Sequence, residues 1–158
     1  MHWVDVESLH VTLKFLGDTK VSKLEQVYTH IEKALEGTPP IHSQLTTIGA
    51  FPRIAHPKVI CIGCQDTYKH MFYLAQRIDD EIGNIGFKEQ RRGFKPHVTL
   101  GRTSSFKNIS PFASALTKTE IQDYVSFAFS EVVLYKTQRT EGGVKHDVLK
   151  KFTFPKAS

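Results

Sequence analysis

Apolar and polar residues alternate near the start of the chain. From Leu9 to Leu16 the alternation holds until the last step, and Gly17–Asp18 follows, which predicts a strand that ends in a turn. From Lys20 to Glu36 the apolar residues recur instead at steps of three and four, and a glycine and a proline come next. This second pattern predicts an amphipathic helix directly after the first strand.

Shorter patterns follow along the rest of the chain. Two strands are expected on either side of a Phe51–Pro52–Arg53 turn region, then a second helix, another short strand, a short helix and two long strands around a glycine turn. These elements are predicted at 41–50, 57–64, 67–82, 96–101 and 110–119, with the hairpin turn at 141–143.

The string His-Val-Thr-Leu occurs twice, at 10–13 and at 97–100, 87 positions apart. Side chains on a strand alternate between faces, so each histidine should share a face with the threonine two residues later. The repeat predicts two βα-type lobes related by pseudo-symmetry, each of which donates one strand to a central groove. On the first strand the expected polar face holds His10, Thr12 and Lys14, and the expected core face holds Leu9, Val11, Leu13 and Phe15.

Two histidines on facing strands are suited to acid–base chemistry. Imidazole has an ordinary pKa near 6.5, so one ring can be protonated while the other is neutral. Transfer of a phosphodiester needs a base for the attacking oxygen and an acid for the leaving oxygen. Hydroxyls of Thr12 and Thr99 can donate hydrogen bonds to the phosphoryl oxygens. No carboxylate cluster accompanies the motifs, so the arrangement calls for no metal and no cofactor.

Both motifs, with their flanks Lys14-Phe15-Leu16-Gly17 and Gly101-Arg102, resemble the paired motifs of the two-histidine phosphoesterase superfamily. The RNA 2′,3′-cyclic phosphodiesterase family, also called 2′-5′ RNA ligase or LigT-like, is the most similar, and Gly49-Ala50-Phe51-Pro52 also resembles a typical segment of it. The resemblance implies one α+β domain over 1–158, with two pseudo-symmetric lobes of antiparallel sheet, outer helices and a groove. It also implies His10 as proton donor and His97 as proton acceptor in hydrolysis of RNA 2′,3′-cyclic phosphate ends to 2′-phosphates, with 2′-5′ joining as the reverse reaction.

One departure from the family concerns the N-terminus. Family members usually begin with an additional strand and helix before the first motif, whereas His10 is close to Met1 here. The chain is therefore expected to lack that strand and helix, which would leave one sheet edge uncovered.

Several basic residues are candidates for binding the substrate. Lys14 lies on the predicted polar face of the first strand, where it could contact the substrate. The alternative interpretation is that its side chain is only solvated. Arg102 can bind a phosphate through two parallel hydrogen bonds. Strict alternation, however, places its side chain on the face of the strand away from His97, unless the strand bends at Gly101. Arg91 and Arg92, with Lys88 and Lys95 and the nearby Phe87 and Phe94, form either an RNA-binding rim or a solvated loop.

Composition narrows the classes of function that remain. The chain has 158 residues, 40% of them hydrophobic, and a formal net charge of +5, which favours an anionic partner such as an RNA end or a cyclic nucleotide. No segment is long and apolar enough to span a membrane, and no secretory signal is visible, so a cytoplasmic, monomeric protein is expected. Cys61 and Cys64 are too few for a disulfide framework and are interpreted as buried small hydrophobes.

Two other functions remain open at this stage. The same chemistry could act on a small cyclic nucleotide or on an ADP-ribose cyclic phosphate, as elsewhere in the superfamily. A third hypothesis is an RNA- or nucleotide-binding module without turnover, which would bind equally well after both motif histidines are replaced.

Overall fold

A computed structural model describes residues 2–90, 93–103, 109–121, 125–140 and 143–154. Contacts along the chain divide it into two compact units, each assembled from three segments. Unit 1 comprises Met1–Thr12, Ser43–Gln65 and Lys95–Phe127, and unit 2 comprises Leu13–His42, Asp66–Phe94 and Ala128–Ser158.

A five-stranded sheet is centred on unit 1, with strand order β1-β4-β3-β2-β5. The pairs β1/β4, β4/β3 and β3/β2 are antiparallel. The strands are β1 (His2–Trp3), β2 (Ile41–Arg53), β3 (His56–Cys64), β4 (His97–Arg102) and β5 (Ser126–Phe129).

One face of this sheet forms the core of unit 1. Ile60, Ile62 and Val98 are 1%, 8% and 9% exposed, and they share a face because Ile62 lies directly opposite Val98. A short helix, α3 (Ile109–Lys118), contacts β3. The opposite face of the sheet carries polar side chains, such as Thr99, next to apolar ones, such as its partner Cys61.

Unit 2 consists of two helices and a hairpin. The helices are α1 (Leu24–Leu35) and α2 (His70–Gly83), which pack against each other, and the hairpin joins β6 (Glu131–Thr140) to β7 (Gly143–Thr153). Tyr28 of α1 lies against Phe152 of β7, with ring centroids 6.2 Å apart. The buried residues of α1 and α2 recur at helical spacing, as the sequence predicts: Val27, Ile31, Ala34, Leu35, Met71, Leu74, Ala75, Ile78 and Ile82.

Some predicted boundaries shift for local reasons. The second helix begins at His70 rather than at residue 67, because Asp66 accepts hydrogen bonds from the backbone N–H groups of Met71 and Phe72 and because Lys69 has a φ of 57°. The first helix is preceded by a 3-10 turn over Val21–Lys23.

The predicted strand over 9–16 is wrong in its extent. Only Val11 makes a β-bridge in this segment, to Val98. The expected core face is wrong at its ends as well, since Leu9 is 39% exposed and Phe15 is 79% exposed. The motif therefore adds one pairing to the edge of β4 instead of forming a half-buried strand.

Among the described residues, no helix is long and apolar enough to cross a membrane.

Candidate active site

Both His-x-Thr segments lie in unit 1, so the prediction that each lobe donates one of them is wrong for these two units. Val11 and Val98 are antiparallel partners, and Val98 points to the buried face. The residues on either side of each valine consequently point to the opposite face. This open face, called the site face below, carries His10, Thr12, His97 and Thr99.

Val11 and Val98 form an isolated antiparallel bridge. A register continued by one residue on either side of this bridge sets His10 opposite Thr99 and Thr12 opposite His97. Directly opposite Cβ atoms are about 5 Å apart and diagonal neighbours roughly 7 Å apart. In that register the two imidazoles are diagonal neighbours, a separation that lets them flank one phosphorus atom with a hydroxyl beside each.

Each imidazole is held by a carbonyl two residues upstream. His97 Nδ1 lies 2.7 Å from the carbonyl oxygen of Lys95, and His10 Nδ1 lies 2.8 Å from that of Ser8. A carbonyl can only accept, so Nδ1 carries the hydrogen in both rings. The Nε2 atom of each ring is then the one that gains or gives up a proton.

The threonine hydroxyls are half-buried beside these rings. Within the described residues, neither Thr12 nor Thr99 donates its hydroxyl hydrogen to a protein acceptor. Both hydroxyls are thus able to donate to an oxygen of a bound phosphate.

A β-bulge decides where Arg102 points. Thr99 pairs with Cys61, but Gly101 pairs with Ile60, so Leu100 is an extra residue on β4. Beyond the bulge the faces are exchanged, and Arg102 lies opposite Val59 on the site face. Strict alternation predicts that Arg102 lies on the face of the strand away from His97, and this prediction is wrong. The bend considered at Gly101 is this bulge.

Gly101 moves to the other face through the same bulge. A Cβ atom there would lie 2.9 Å from Cε3 of Trp3 and 3.0 Å from the carbonyl oxygen of His2. The missing side chain of Gly101 makes room for the Trp3 ring. The glycine therefore allows β1 to pair closely with β4.

Phe51 is a site-face residue to which the sequence pattern assigned no role. It lies opposite Val59, and its ring centroid is 5.0 Å from that of His97. The ring is 37% exposed, so it contacts the imidazole and also faces solvent. Phe51 belongs to Gly49-Ala50-Phe51-Pro52, which resembles a typical segment of the family. This resemblance is the only signal in the sequence that points to Phe51.

Gly63 gives the hydroxyl of Thr46 access to the site face. Gly63 is the β3 partner of His97, and a Cβ at this position would lie only 2.6 Å from Thr46 Oγ1. An irregularity in β2 between Leu45 and Ile48 turns Thr46 toward this glycine. Any side chain at residue 63 would displace Thr46 next to His97.

The sequence also predicts Lys14, Arg91 and Arg92 as binding residues. Lys14 is in unit 2, where its side chain is 3% exposed, forms an ion pair with Asp79 and donates to the carbonyl of Lys88. Its role in substrate binding stays a prediction. Lys88 and Lys95 are exposed, whereas Arg91 and Arg92 lie outside the described residues.

Both cysteines are buried, at 5% and 6% exposure, which confirms their interpretation as small core residues. Burial raises the pKa of the Cys64 thiol to about 11. Burial also raises the pKa of Cys61, against an opposing hydrogen bond with the Gly49 backbone. Neither thiol has the lowered pKa of a reactive cysteine.

Comparison with known proteins identifies the family. The sequence model of the 2′-5′ RNA ligase superfamily matches residues 2–141. An RNA 2′,3′-cyclic phosphodiesterase of Methanocaldococcus jannaschii is 30% identical over 149 residues, covering 94% of this chain and 82% of that protein. One of Methanothermobacter thermautotrophicus is 29% identical over 143 residues, covering 89% and 76%.

Solved structures agree on the fold. Escherichia coli LigT, in a crystal structure with 3′-AMP, matches with a TM-score of 0.77 and 23% identity over 96% of this chain and 80% of that one. A protein of Thermus thermophilus matches with a TM-score of 0.77 and 20% identity over 97% and 81%. The predicted α+β, LigT-like fold class is confirmed, and the chain belongs to the 2′-5′ RNA ligase superfamily.

Proposed function

We propose that this protein is an enzyme that hydrolyses 2′,3′-cyclic phosphodiester ends of RNA to 2′-phosphomonoesters. The observation that carries the proposal is the pairing of Val11 with Val98, which sets two His-x-Thr segments side by side on one open face. The relatives in M. jannaschii and M. thermautotrophicus carry the name of this activity. LigT of E. coli, whose crystal structure includes 3′-AMP, supports a nucleotide-sized ligand.

In the proposed reaction the two histidines act on opposite sides of phosphorus. Nε2 of His97 takes a proton from water as the water oxygen bonds to phosphorus, and the bond from phosphorus to the 3′ oxygen breaks. Nε2 of His10 gives its proton to that departing oxygen, which leaves the phosphate on the 2′ oxygen. Hydroxyls of Thr12 and Thr99 donate to the non-bridging oxygens, where negative charge grows.

The proposal includes two finer points. Two imidazoles and two hydroxyls supply both the proton transfers and the stabilisation of charge, so the reaction proceeds without a metal ion. The same attack, with an RNA hydroxyl in place of water, joins two RNA ends through a 2′-5′ linkage. Arg102 on the site face adds positive charge for the substrate.

The test is hydrolysis of an RNA oligonucleotide that ends in a 2′,3′-cyclic phosphate, in EDTA, with the product ends mapped. We expect a 2′-phosphate from the parent, a bell-shaped pH profile, and losses of roughly 10²- to 10⁴-fold in the His10→Ala and His97→Ala variants. His56→Ala is the matched control, because His56 is the exposed first residue of β3 in the same unit.

Other outcomes point to other functions. A requirement for added metal would contradict the proposed chemistry. Turnover of a small cyclic nucleotide or an ADP-ribose cyclic phosphate, but of no RNA, would keep the chemistry and change the substrate. RNA binding without product, undiminished when both histidines are replaced by asparagine, would indicate a binding module.

A further inference from the structure

Thr46 is a hydroxyl-bearing residue beside the two motifs that belongs to neither of them. It lies on β2 and is half-buried, and within the described residues its hydroxyl has no hydrogen-bond partner. Its Oγ1 atom leans over Gly63, because a Cβ atom at that glycine would be only 2.6 Å away. Gly63 is in turn the cross-strand partner of His97. Thr46 and His97 therefore lie on the site face on either side of a residue without a side chain.

Glycines leave open space between these two side chains. Neighbouring strands are about 4.8 Å apart, so the backbones of β2 and β4 are separated by roughly 10 Å in this row. Gly49, on β2 in the next row, is also half-buried and also lacks a side chain on the site face. A glycine inside a strand often marks a place where a ligand approaches the backbone closely. A small ligand group can thus lie over Gly63, between Thr46 and His97.

The side of His97 on which this space lies decides its part in the reaction. Strand β4 pairs with β3 along one edge and with the segment of His10 along the other. His10 therefore lies on one side of His97, whereas Gly63 and Thr46 lie on the opposite side. In the proposed reaction His10 protonates the departing 3′ oxygen, so the ribose of the cyclic phosphate is on its side. The attacking oxygen enters in line with the departing one, next to His97, and the space over Gly63 is on that side.

We propose that Thr46 is a further active-site residue that binds the attacking group, and that this group can be a primary alcohol with a second oxygen two carbons away. Because Thr46 is roughly two strand spacings from His97, it reaches the second oxygen of the alcohol and not the attacking one. The 5′ end of a nucleoside has this arrangement, since two carbons separate its ring oxygen from the 5′ hydroxyl. The inference rests on the proposed function and specifies the second reactant at the same site.

The transfer to such an alcohol needs no further reactant. Nε2 of His97 takes the hydroxyl proton as the alcohol oxygen bonds to phosphorus, and the bond from phosphorus to the 3′ oxygen breaks. Nε2 of His10 gives its proton to that 3′ oxygen. The Thr46 hydroxyl donates to the second oxygen of the alcohol throughout. The product is a 2′-phosphodiester of the alcohol with a free 3′ hydroxyl.

The test uses a mononucleoside 2′,3′-cyclic phosphate in water that contains either ethylene glycol or ethanol at the same molar concentration. Each reaction divides between an alkyl 2′-phosphodiester and the 2′-phosphate, and the ratio of these products does not depend on how much of the enzyme is folded. We expect the parent to use ethylene glycol about three- to tenfold more often than ethanol, per hydroxyl, because only the glycol has an oxygen for Thr46. In Thr46→Val this preference should disappear, and in Thr46→Ser it should persist.

A second variant, Gly63→Ala, tests the space itself. Its Cβ atom would press on Thr46 and fill the gap. The share of both alkyl products should fall about tenfold relative to the 2′-phosphate, because water is smaller than either alcohol. Two matched controls should keep the product ratios of the parent: Thr153→Val, on an exposed strand position of unit 2, and Gly83→Ala, where a Cβ atom would meet nothing within 4 Å.

Equal use of the two alcohols by the parent, or a preference for ethylene glycol that Thr46→Val retains, would overturn the inference. Product ratios that Gly63→Ala leaves unchanged would overturn it as well. A parent that yields only the 2′-phosphate in either alcohol would also overturn it, while the proposed hydrolysis would stand. No product of any kind from the folded parent would end the proposed function and, with it, this inference.

Discussion

Ion pairs are distributed unequally between the two units. All six ion pairs between described residues lie in unit 2, while the exposed cations of unit 1, such as Arg102 and Lys58, have no such partner among them. Unit 2 thus pairs some of its charges internally, whereas the sheet of unit 1 that carries the two motifs has exposed cations without an acidic partner among the described residues. The six pairs are Lys14–Asp79, His30–Glu81, Lys33–Glu81, Lys145–Asp147, Lys150–Glu32 and Lys151–Glu131.

We therefore expect charge to serve stability in unit 2 and, under the proposed function, substrate binding in unit 1. Substitutions of charged or polar residues in unit 2 should therefore change the free energy of unfolding. Substitutions on the site face of unit 1 should change kcat/KM with little effect on unfolding.

The largest effect is expected at Lys14, the most buried charge of the six pairs, with 3% of its side chain exposed. Lys14→Met leaves the Asp79 carboxylate without its partner and should lower the free energy of unfolding by about 3 kcal/mol or more. Lys151→Met is the matched control, because that pair is 59% and 40% exposed and should cost about 0 to 1 kcal/mol. Urea denaturation measures both.

A double variant distinguishes the loss of this ion pair from a general failure to fold. Lys14→Met combined with Asp79→Leu removes both charges and should recover much of the lost stability. If Lys14→Met instead left unfolding unchanged and reduced only kcat/KM, Lys14 would belong to the substrate site and the division between the units would fail.

The next largest effect is expected at Thr99 on the site face. Thr99→Val preserves shape but removes the hydroxyl, and kcat should fall roughly 100-fold, as for loss of one donor to a charged transition state. Thr99→Ser keeps the donor and should keep most of the activity. Thr153→Val, on an exposed strand position of unit 2, should change neither kcat nor KM.

A smaller effect is expected at Phe51, whose ring lies 5.0 Å from that of His97. Phe51→Leu removes the aromatic contact with the His97 imidazole, so kcat/KM should fall about three- to tenfold. Phe51→Tyr keeps the ring and should restore most of kcat/KM. A loss that tyrosine does not restore would argue against positioning of His97 by the ring.

The local periodicity of apolar residues predicts the helices and strands that bury a continuous row of apolar side chains. Helices α1 and α2, strands β2 to β4 and the β6–β7 hairpin all lie close to their predicted positions, because their apolar spacing reflects real packing. Strands β1 and β5 have two and four residues, too few to show a period, and the sequence pattern misses them.

The site was predictable in its residue types but not in its geometry. The repeated His-x-Thr string identifies four residues that the structure brings onto one face, through the single pairing of Val11 with Val98. The side of the sheet on which Arg102 lies depends on the extra residue Leu100, and a bulge leaves no mark in an alternating pattern. The Phe51–His97 contact depends on strand register, which only the folded sheet defines.

The smallest effect concerns Glu81 in unit 2, whose carboxylate lies within 2.9 Å of Lys33 Nζ and of His30 Nδ1. Hydrogen bonding from Lys33, and then from His30, lowers the pKa of the Glu81 carboxyl below its usual range, and burial opposes this only in part. The same contact raises the pKa of Lys33. The oxygen-to-nitrogen distances are 2.9 Å in both pairs.

The sign of the pH dependence follows from that direction. Because the pKa of Glu81 is lower in the folded protein, its stabilising contribution is complete above the ordinary carboxyl pKa of 4.5 and is lost as the pH falls through the folded value. Glu81→Gln should therefore be less stable than the parent at neutral pH. The free energies of unfolding of the two proteins, measured as a function of pH, should converge in acid. High salt should shrink the gap at neutral pH, since these side chains are partly exposed. If the difference in free energy of unfolding stayed constant down to acid pH, Glu81 would stabilise unit 2 by packing and not by its charge. The contrast between the ion pairs of unit 2 and the unpaired cations of unit 1 would then depend on the other pairs.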